Sequence, residues 1–273
     1  MKKLILTILL FLVAWVSLVY PAQIEIRQIF SKVMNKQIPA LFILPDSYQR
    51  GENRFPVVYL LHGYGGNYRN WADKTSVEEL ADRYDIIFVC PDGSPDSWYF
   101  DSPEDPSSQY ETHIAGEVVN FTDETYRTIP KRGGRAITGL SMGGHGALFL
   151  AIRHPQVFGA AGSMSGGVDL TYSTKKWNIG LKIGVFEKYP HRWDSLSVVN
   201  NIEKFRTARL ALIIDCGVDD FFIKANRVLH QRLLEAKVAH EYIERSGRHN
   251  WEYWNYAVKF QMLFFREFFN RNN

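Results

Sequence analysis

The sequence predicts an α/β fold with a mostly parallel central sheet, helices on both faces and an antiparallel pair at the N-terminal edge. Short apolar runs such as 56–61 and 86–90 show no polar alternation, as expected of strands covered on both sides. Segments of helical length separate these runs, so successive strands can run parallel through helical crossovers. Two earlier segments do alternate apolar with polar residues, which marks half-buried antiparallel strands.

Taken in order, the first 22 residues read as a signal peptide. Lys2 and Lys3 give a basic start, residues 4–19 carry no charge, and Pro21-Ala22 precedes the first acid, Glu25. At ~1.5 Å per residue the apolar run reaches ~24 Å, short of a ~30 Å hydrocarbon core. A cleaved signal is therefore expected rather than a stable membrane anchor, with cleavage after Ala22 and a secreted or periplasmic product. Residues 23–273 then form one domain, since no repeat or polar linker divides them. Segments 24–33 and 38–44 are the alternating edge pair. Segments 56–61, 86–90, 135–140, 157–164, 209–216 and 240–244 are the buried strands. The principal helices are 112–126, 143–154, 223–237 and 251–269. Residues 166–205 show no clean strand but gather Trp177, Phe186, Tyr189 and Trp193, and are expected to form an insertion over the C-terminal edge of the sheet.

Composition works by exclusion. The 273 residues are 46% hydrophobic and 22% charged, a globular balance that excludes a disordered or polytopic chain. The formal net charge is +3, and without Lys2 and Lys3 it is 30 basic against 29 acidic residues. A nucleic-acid partner gets no electrostatic support from that balance. Cys90 and Cys216 lack the spacing of a zinc site, and no metal is expected.

Chemistry enters at Gly139-Leu140-Ser141-Met142-Gly143, a G-x-S-x-G match directly after a strand and directly before a helix. A serine on a strained strand-to-helix turn needs flanking glycines for close backbone approach, and the helix N-terminus behind it favours developing negative charge. The five-residue match alone is common; the strand–turn–helix context gives it weight. An acid follows the 209–216 strand in Gly217-Val218-Asp219-Asp220, where it can orient and stabilise an imidazole. His249 then sits between a strand and the last helix, so the order is Ser, Asp, His. The loop His62-Gly63-Tyr64-Gly65-Gly66 follows the 56–61 strand, where a second oxyanion donor belongs. The backbone N–H groups of Tyr64 and Met142 are the candidates. His62 is read as holding that turn. Neither nucleotide-binding glycine motif is present.

These stretches resemble the esterase D family of α/β-hydrolases, which includes S-formylglutathione hydrolases, tributyrin esterases, feruloyl esterases and mycolyltransferases. The similarity is strongest over Gly139-Leu-Ser-Met-Gly-Gly-His-Gly-Ala-Leu148, and further blocks are Ser97-Trp-Tyr-Phe-Asp-Ser102, Cys216-Gly-Val-Asp-Asp-Phe221 and Gly247-Arg-His-Asn-Trp251. It runs from about residue 24 to 269. The resemblance implies the α/β-hydrolase fold, serine ester hydrolysis and no cofactor. It implies Ser141 as nucleophile, His249 as base and the Tyr64 and Met142 amides as oxyanion hole. Its Gly-x-x-Asp spacing before an aromatic selects Asp220 as the acid.

The aromatic content suggests a bounded pocket for a small-molecule or carbohydrate-linked ester. Trp98, Tyr99, Asp101 and Trp177 are the tentative substrate contacts. His145 is expected to pack or cap, and Glu111 and Glu117 to lie on a solvated helix face. The expected function is a secreted serine carboxylesterase for short-chain or aromatic acyl esters. The alternatives are an S-formylglutathione hydrolase-like thioesterase, which the export signal disfavours, an acyltransferase, and a non-catalytic carbohydrate- or lipid-binding relative.

Overall fold

The computed structural model describes residues 22–272, so the expected signal segment, apart from Ala22, lies outside the described residues. Strand β1 (Gln23–Ser31) is largely exposed, and β2 (Lys36–Leu44) buries most of its length. They pair antiparallel from Gln23 opposite Leu44 to Ser31 opposite Lys36. Six further strands are parallel to one another: β3 (Val57–Leu61), β4 (Ile87–Pro91), β5 (Arg135–Gly139), β6 (Ala160–Met164), β7 (Ala211–Gly217) and β8 (Glu241–Arg245). The order across the sheet is β1-β2-β4-β3-β5-β6-β7-β8, with β2 antiparallel to β4. This is the α/β-hydrolase architecture that the sequence predicts.

The unbroken apolar runs serve two cores at once. In β3, Val57, Tyr59 and Leu61 face one side and Val58 and Leu60 the other, the period of two that a pleated strand imposes. The second side is covered by α1 (Asn70–Lys74), α2 (Val77–Tyr84) and the long α10 (Trp251–Asn272). The first side holds α4 (Val119–Thr125), α5 (Met142–Arg153) and α9 (Ile223–Glu235), while α3 (Tyr110–Thr112) places Tyr110 in a small separate cluster with Met34 and Ile38. Residues 166–205 form short pieces on this side, chiefly α6 (Ile179–Ile183) and α7 (Pro190–Leu196), and α8 (Ile202–Ala208) follows.

Four details differ from expectation. Helices α1 and α2 occupy the stretch between β3 and β4, where the sequence shows too few turns for the period to stand out; Val77, Leu80 and Ala81 supply the buried stripe of α2. β6 begins at Ala160 because the Val157 and Phe158 amides close a turn onto the His154 carbonyl. Between α3 and α4 the helix loosens into a π turn at His113–Val118. Glu111 is not solvated: it is buried against Arg153 (2.6 Å) and His154 (2.9 Å), and Glu117 accepts the Lys32 and Val33 amides of the β1–β2 turn. Among the described residues no helix is long and apolar enough to cross a membrane.

Candidate active site

β5 leads into the candidate nucleophile. The chain leaves the strand at Gly139 and enters α5 at Met142, so Leu140 and Ser141 make the whole turn. Ser141 adopts φ 55° and ψ −116°, a conformation costly to any residue with a Cβ. Crowding explains the glycines: a Cβ on Gly143 would strike the Leu61 and His62 carbonyls, and one on Gly139 would come within 2.6 Å of the Leu61 carbonyl. Ser141 Oγ therefore projects at the start of a 12-residue helix, beside its unpaired N–H groups.

The structure brings three of the predicted residues together. His249 Nε2 lies 2.9 Å from Ser141 Oγ, and His249 Nδ1 lies 2.8 Å from Asp220 Oδ2. A carboxylate only accepts, so Nδ1 carries the proton and Nε2 turns its lone pair to the serine hydroxyl. The second Asp220 oxygen accepts the Phe222 amide at 2.8 Å, which fixes the carboxylate, 2% exposed, in one orientation. Asp219 is exposed, and its amide donates to the Gly247 carbonyl. Asp215 lies inside β7, too early to meet the histidine. It binds the hydroxyl of Tyr253 and, at 2.8 Å, the guanidinium of Arg245, the two sides of the loop that carries His249. Burial pushes the Asp215 carboxyl up to about 6, against the pull of Tyr253 and Arg245.

The candidate oxyanion loop is built around His62. The Gly93 N–H donates to its Nε2 at 2.8 Å, so the ring proton sits on Nδ1, 2.9 Å from the Gly63 carbonyl. Burial lowers the pKa of this ring, which stays neutral and structural. The loop's Gly65 and Gly66 amides donate to the Pro95 and Gly63 carbonyls. Among the described residues the Tyr64 and Met142 amides have no such acceptor, and both belong to segments that meet at Ser141.

A cleft of about 280 Å³ opens over Ser141 and His249 between Tyr64, Lys74, Trp177, Phe221, Trp251 and Trp254. Of the four tentative substrate contacts, only Trp177 lines it. Trp98 and Tyr99 adopt successive positive φ values of 53° and 62°, which turn both rings inward. The Trp98 indole donates to the Trp177 carbonyl at 3.0 Å, supporting the cleft wall from behind, and the Tyr99 hydroxyl donates to the His62 carbonyl at 3.0 Å. Asp101 accepts the Thr112 amide and hydroxyl at 2.9 and 2.5 Å and holds the start of a helix. Phe221, Trp251 and Trp254 are the contacts the sequence reading passes over, although each lies within five residues of Asp220 or His249. Phe221 lies against the His249 ring, with centroids 4.2 Å apart, and Trp254 meets it edge-on at 4.9 Å. A larger hollow of about 570 Å³ near Arg50, Arg54 and Arg266 lies below β3, at the opposite end of the sheet, away from Ser141 and His249. Among the described residues no three His, Cys, Asp or Glu side chains group as metal ligands would.

Comparison with known proteins gives the family. The family model described as "Putative esterase" matches residues 31–263. An acetyl esterase of Caldicellulosiruptor saccharolyticus is 27% identical over 245 residues, covering 83% of this chain and 91% of that protein. An esterase of Mycobacterium tuberculosis is 30% identical over 76% of this chain, which spans about half (51%) of that protein's length. A solved ferulic acid esterase superposes with a TM-score of 0.80 at 29% identity, covering 91% of this chain and 98% of the other. The chain belongs to this esterase family, a carboxylic ester hydrolase on the α/β-hydrolase fold.

Proposed function

We propose that the protein is an exported serine esterase that cleaves short-chain or aromatic acyl esters through an acyl-enzyme. The observation that carries this is the continuous relay from Ser141 through His249 to Asp220, at 2.9 and 2.8 Å, opening into an aromatic cleft. His249 takes the hydroxyl proton through Nε2 as Ser141 Oγ attacks the ester carbonyl. Asp220 stabilises the imidazolium that results. The Tyr64 and Met142 amides receive the tetrahedral oxyanion. Collapse expels the alcohol with a proton from His249, and water, activated by the same nitrogen, releases the acid.

Substrate size follows from the walls. A space of about 280 Å³ between indole and phenyl rings suits a small or planar acyl group and leaves little room for a long alkyl chain. The basic start and uncharged stretch of residues 1–22 support export. The test is a panel of para-nitrophenyl acetate, butyrate and laurate with feruloyl esters and S-formylglutathione, run beside Ser141→Ala. We expect kcat/KM to fall from butyrate to laurate and activity to vanish in the variant. A preference for chains of twelve or more carbons would overturn the substrate reading, and full activity in Ser141→Ala would overturn the mechanism.

A further inference from the structure

Lys74 ends α1 and reaches back over the cleft, where its ammonium lies 5.2 Å from the centre of the Trp251 ring. From there the wall runs without a break to the chemistry. Trp251 meets Trp254 edge-to-face at 5.3 Å, and Trp254 meets His249 at 4.9 Å. Two indoles thus separate the ammonium from the base. No carboxylate among the described residues lies within 4.0 Å of Lys74; the adjacent Asp73 is taken by Arg69 at 3.0 Å. The other lining side chains, His249 aside, are hydroxyl, amide, aromatic or aliphatic groups, and the rest of the floor is glycine backbone. The acid nearest the chemistry, Asp220, is buried and committed to His249 and Phe222. Lys74 is therefore the one ammonium among the lining residues, at the rim of the cleft; Lys176 lies 5.9 Å from the centre of the Trp177 ring on another wall without lining the space itself.

We infer that Lys74 makes this cleft selective for esters that carry a carboxylate, placed across the indole wall from the scissile carbonyl. The inference rests on the serine-esterase reading and adds the charge of the substrate. A carboxylate there gains an ion pair with Lys74 while its hydrocarbon spacer lies on Trp251 and Trp254. Lys74 is exposed, so the gain is screened: roughly fivefold in kcat/KM at low ionic strength, shrinking with added salt.

Two substrate pairs test this and locate the charge. Para-acetoxybenzoate against its methyl ester places the carboxylate on the alcohol side. The mono-para-nitrophenyl ester of adipic acid against para-nitrophenyl hexanoate places it on the acyl side. The readout is the anionic-to-neutral ratio of kcat/KM within a pair, so any general loss of activity cancels. In one pair we expect that ratio to drop roughly fivefold in Lys74→Gln and tenfold or more in Lys74→Glu, with the wild-type ratio falling as salt rises. The pair that responds identifies the side of the ester that faces α1. Ratios unchanged in both pairs and both variants, with hydrolysis intact, would overturn this inference alone. Absence of hydrolysis for every ester, wild type included, would overturn the esterase reading and this inference with it.

Discussion

His145 reaches from the first turn of α5 to the Leu196 carbonyl at the end of α7, 3.1 Å from its Nε2. That bond ties the helix behind Ser141 to the end of α7. The ring is fully buried among Trp98, Phe100 and Phe149, and its Nδ1 has no partner. Because the carbonyl can only accept, Nε2 holds the proton and Nδ1 is bare. A second proton would be buried without an acceptor, and burial pushes the pKa down to about 4.

The first prediction follows from that value. The unfolded chain binds a proton on this histidine near pH 6.5 and the folded protein only near 4, so the stability is fully present above 6.5 and is lost as pH falls toward 4. The loss amounts to about 3 kcal/mol over that window. His145→Gln keeps a neutral donor, and its urea midpoint should decline less than that of the wild type between pH 7 and 4.5. Equal declines in the two proteins would assign the acid sensitivity to other groups.

The two adjacent acids should separate cleanly. Asp220→Asn leaves an amide that favours the wrong imidazole tautomer, and kcat should fall by roughly 10³–10⁴ with the fold intact. Asp219→Asn alters an exposed side chain and should cost about tenfold or less. Circular dichroism checks the fold, and initial rates on one neutral ester give the order. The reverse order would move the acid to Asp219.

Ser141 sets stability against activity. Glycine tolerates φ 55° and ψ −116°, whereas alanine keeps the Cβ that makes the turn costly. Ser141→Gly and Ser141→Ala should both be inactive, with the glycine variant more stable by about 1–2 kcal/mol. Thermal midpoints measured side by side decide it; an alanine variant at least as stable would show that the turn holds no such strain.

Cys90 and Cys216 lie on β4 and β7, four positions apart in the sheet, which is ~19 Å at ~4.8 Å per strand. Both are buried free thiols, and burial pushes both pKa values up. A disulfide needs Cα atoms within ~7 Å, so oxidising conditions should leave them reduced. Mass spectrometry under denaturing, non-reducing conditions should find two alkylatable thiols and no linked peptide.

The sheet is legible in the sequence because strands covered on both faces leave continuous apolar runs, and β3, β4, β5 and β7 each announce themselves this way. Ser141, Asp220 and His249 stand out because each follows a strand at the same edge of the sheet. What is not legible depends on backbone conformation or distant partners. No local preference indicates that Trp98 and Tyr99 take positive φ and turn away from the cleft. Glu111 looks solvated until α5 brings Arg153 and His154 to it from 42 and 43 residues away. Phe221 and Trp254 did leave a signal, an aromatic beside or near each of Asp220 and His249.

The spacing of the relay has a consequence in time. Ser141 precedes His249 by 108 residues, and Asp220 precedes it by 29. A ribosome adding roughly 5–20 residues per second delivers the histidine about 5–20 s after the serine. Through that interval the strained turn has no base, the acid arrives only 29 residues ahead of the histidine, and α10 is made last. Trp254 of α10 then packs against the His249 ring. If the proposed relay carries the activity, the nascent chain is silent towards esters until this last helix docks, and hydrolysis begins as a single late event.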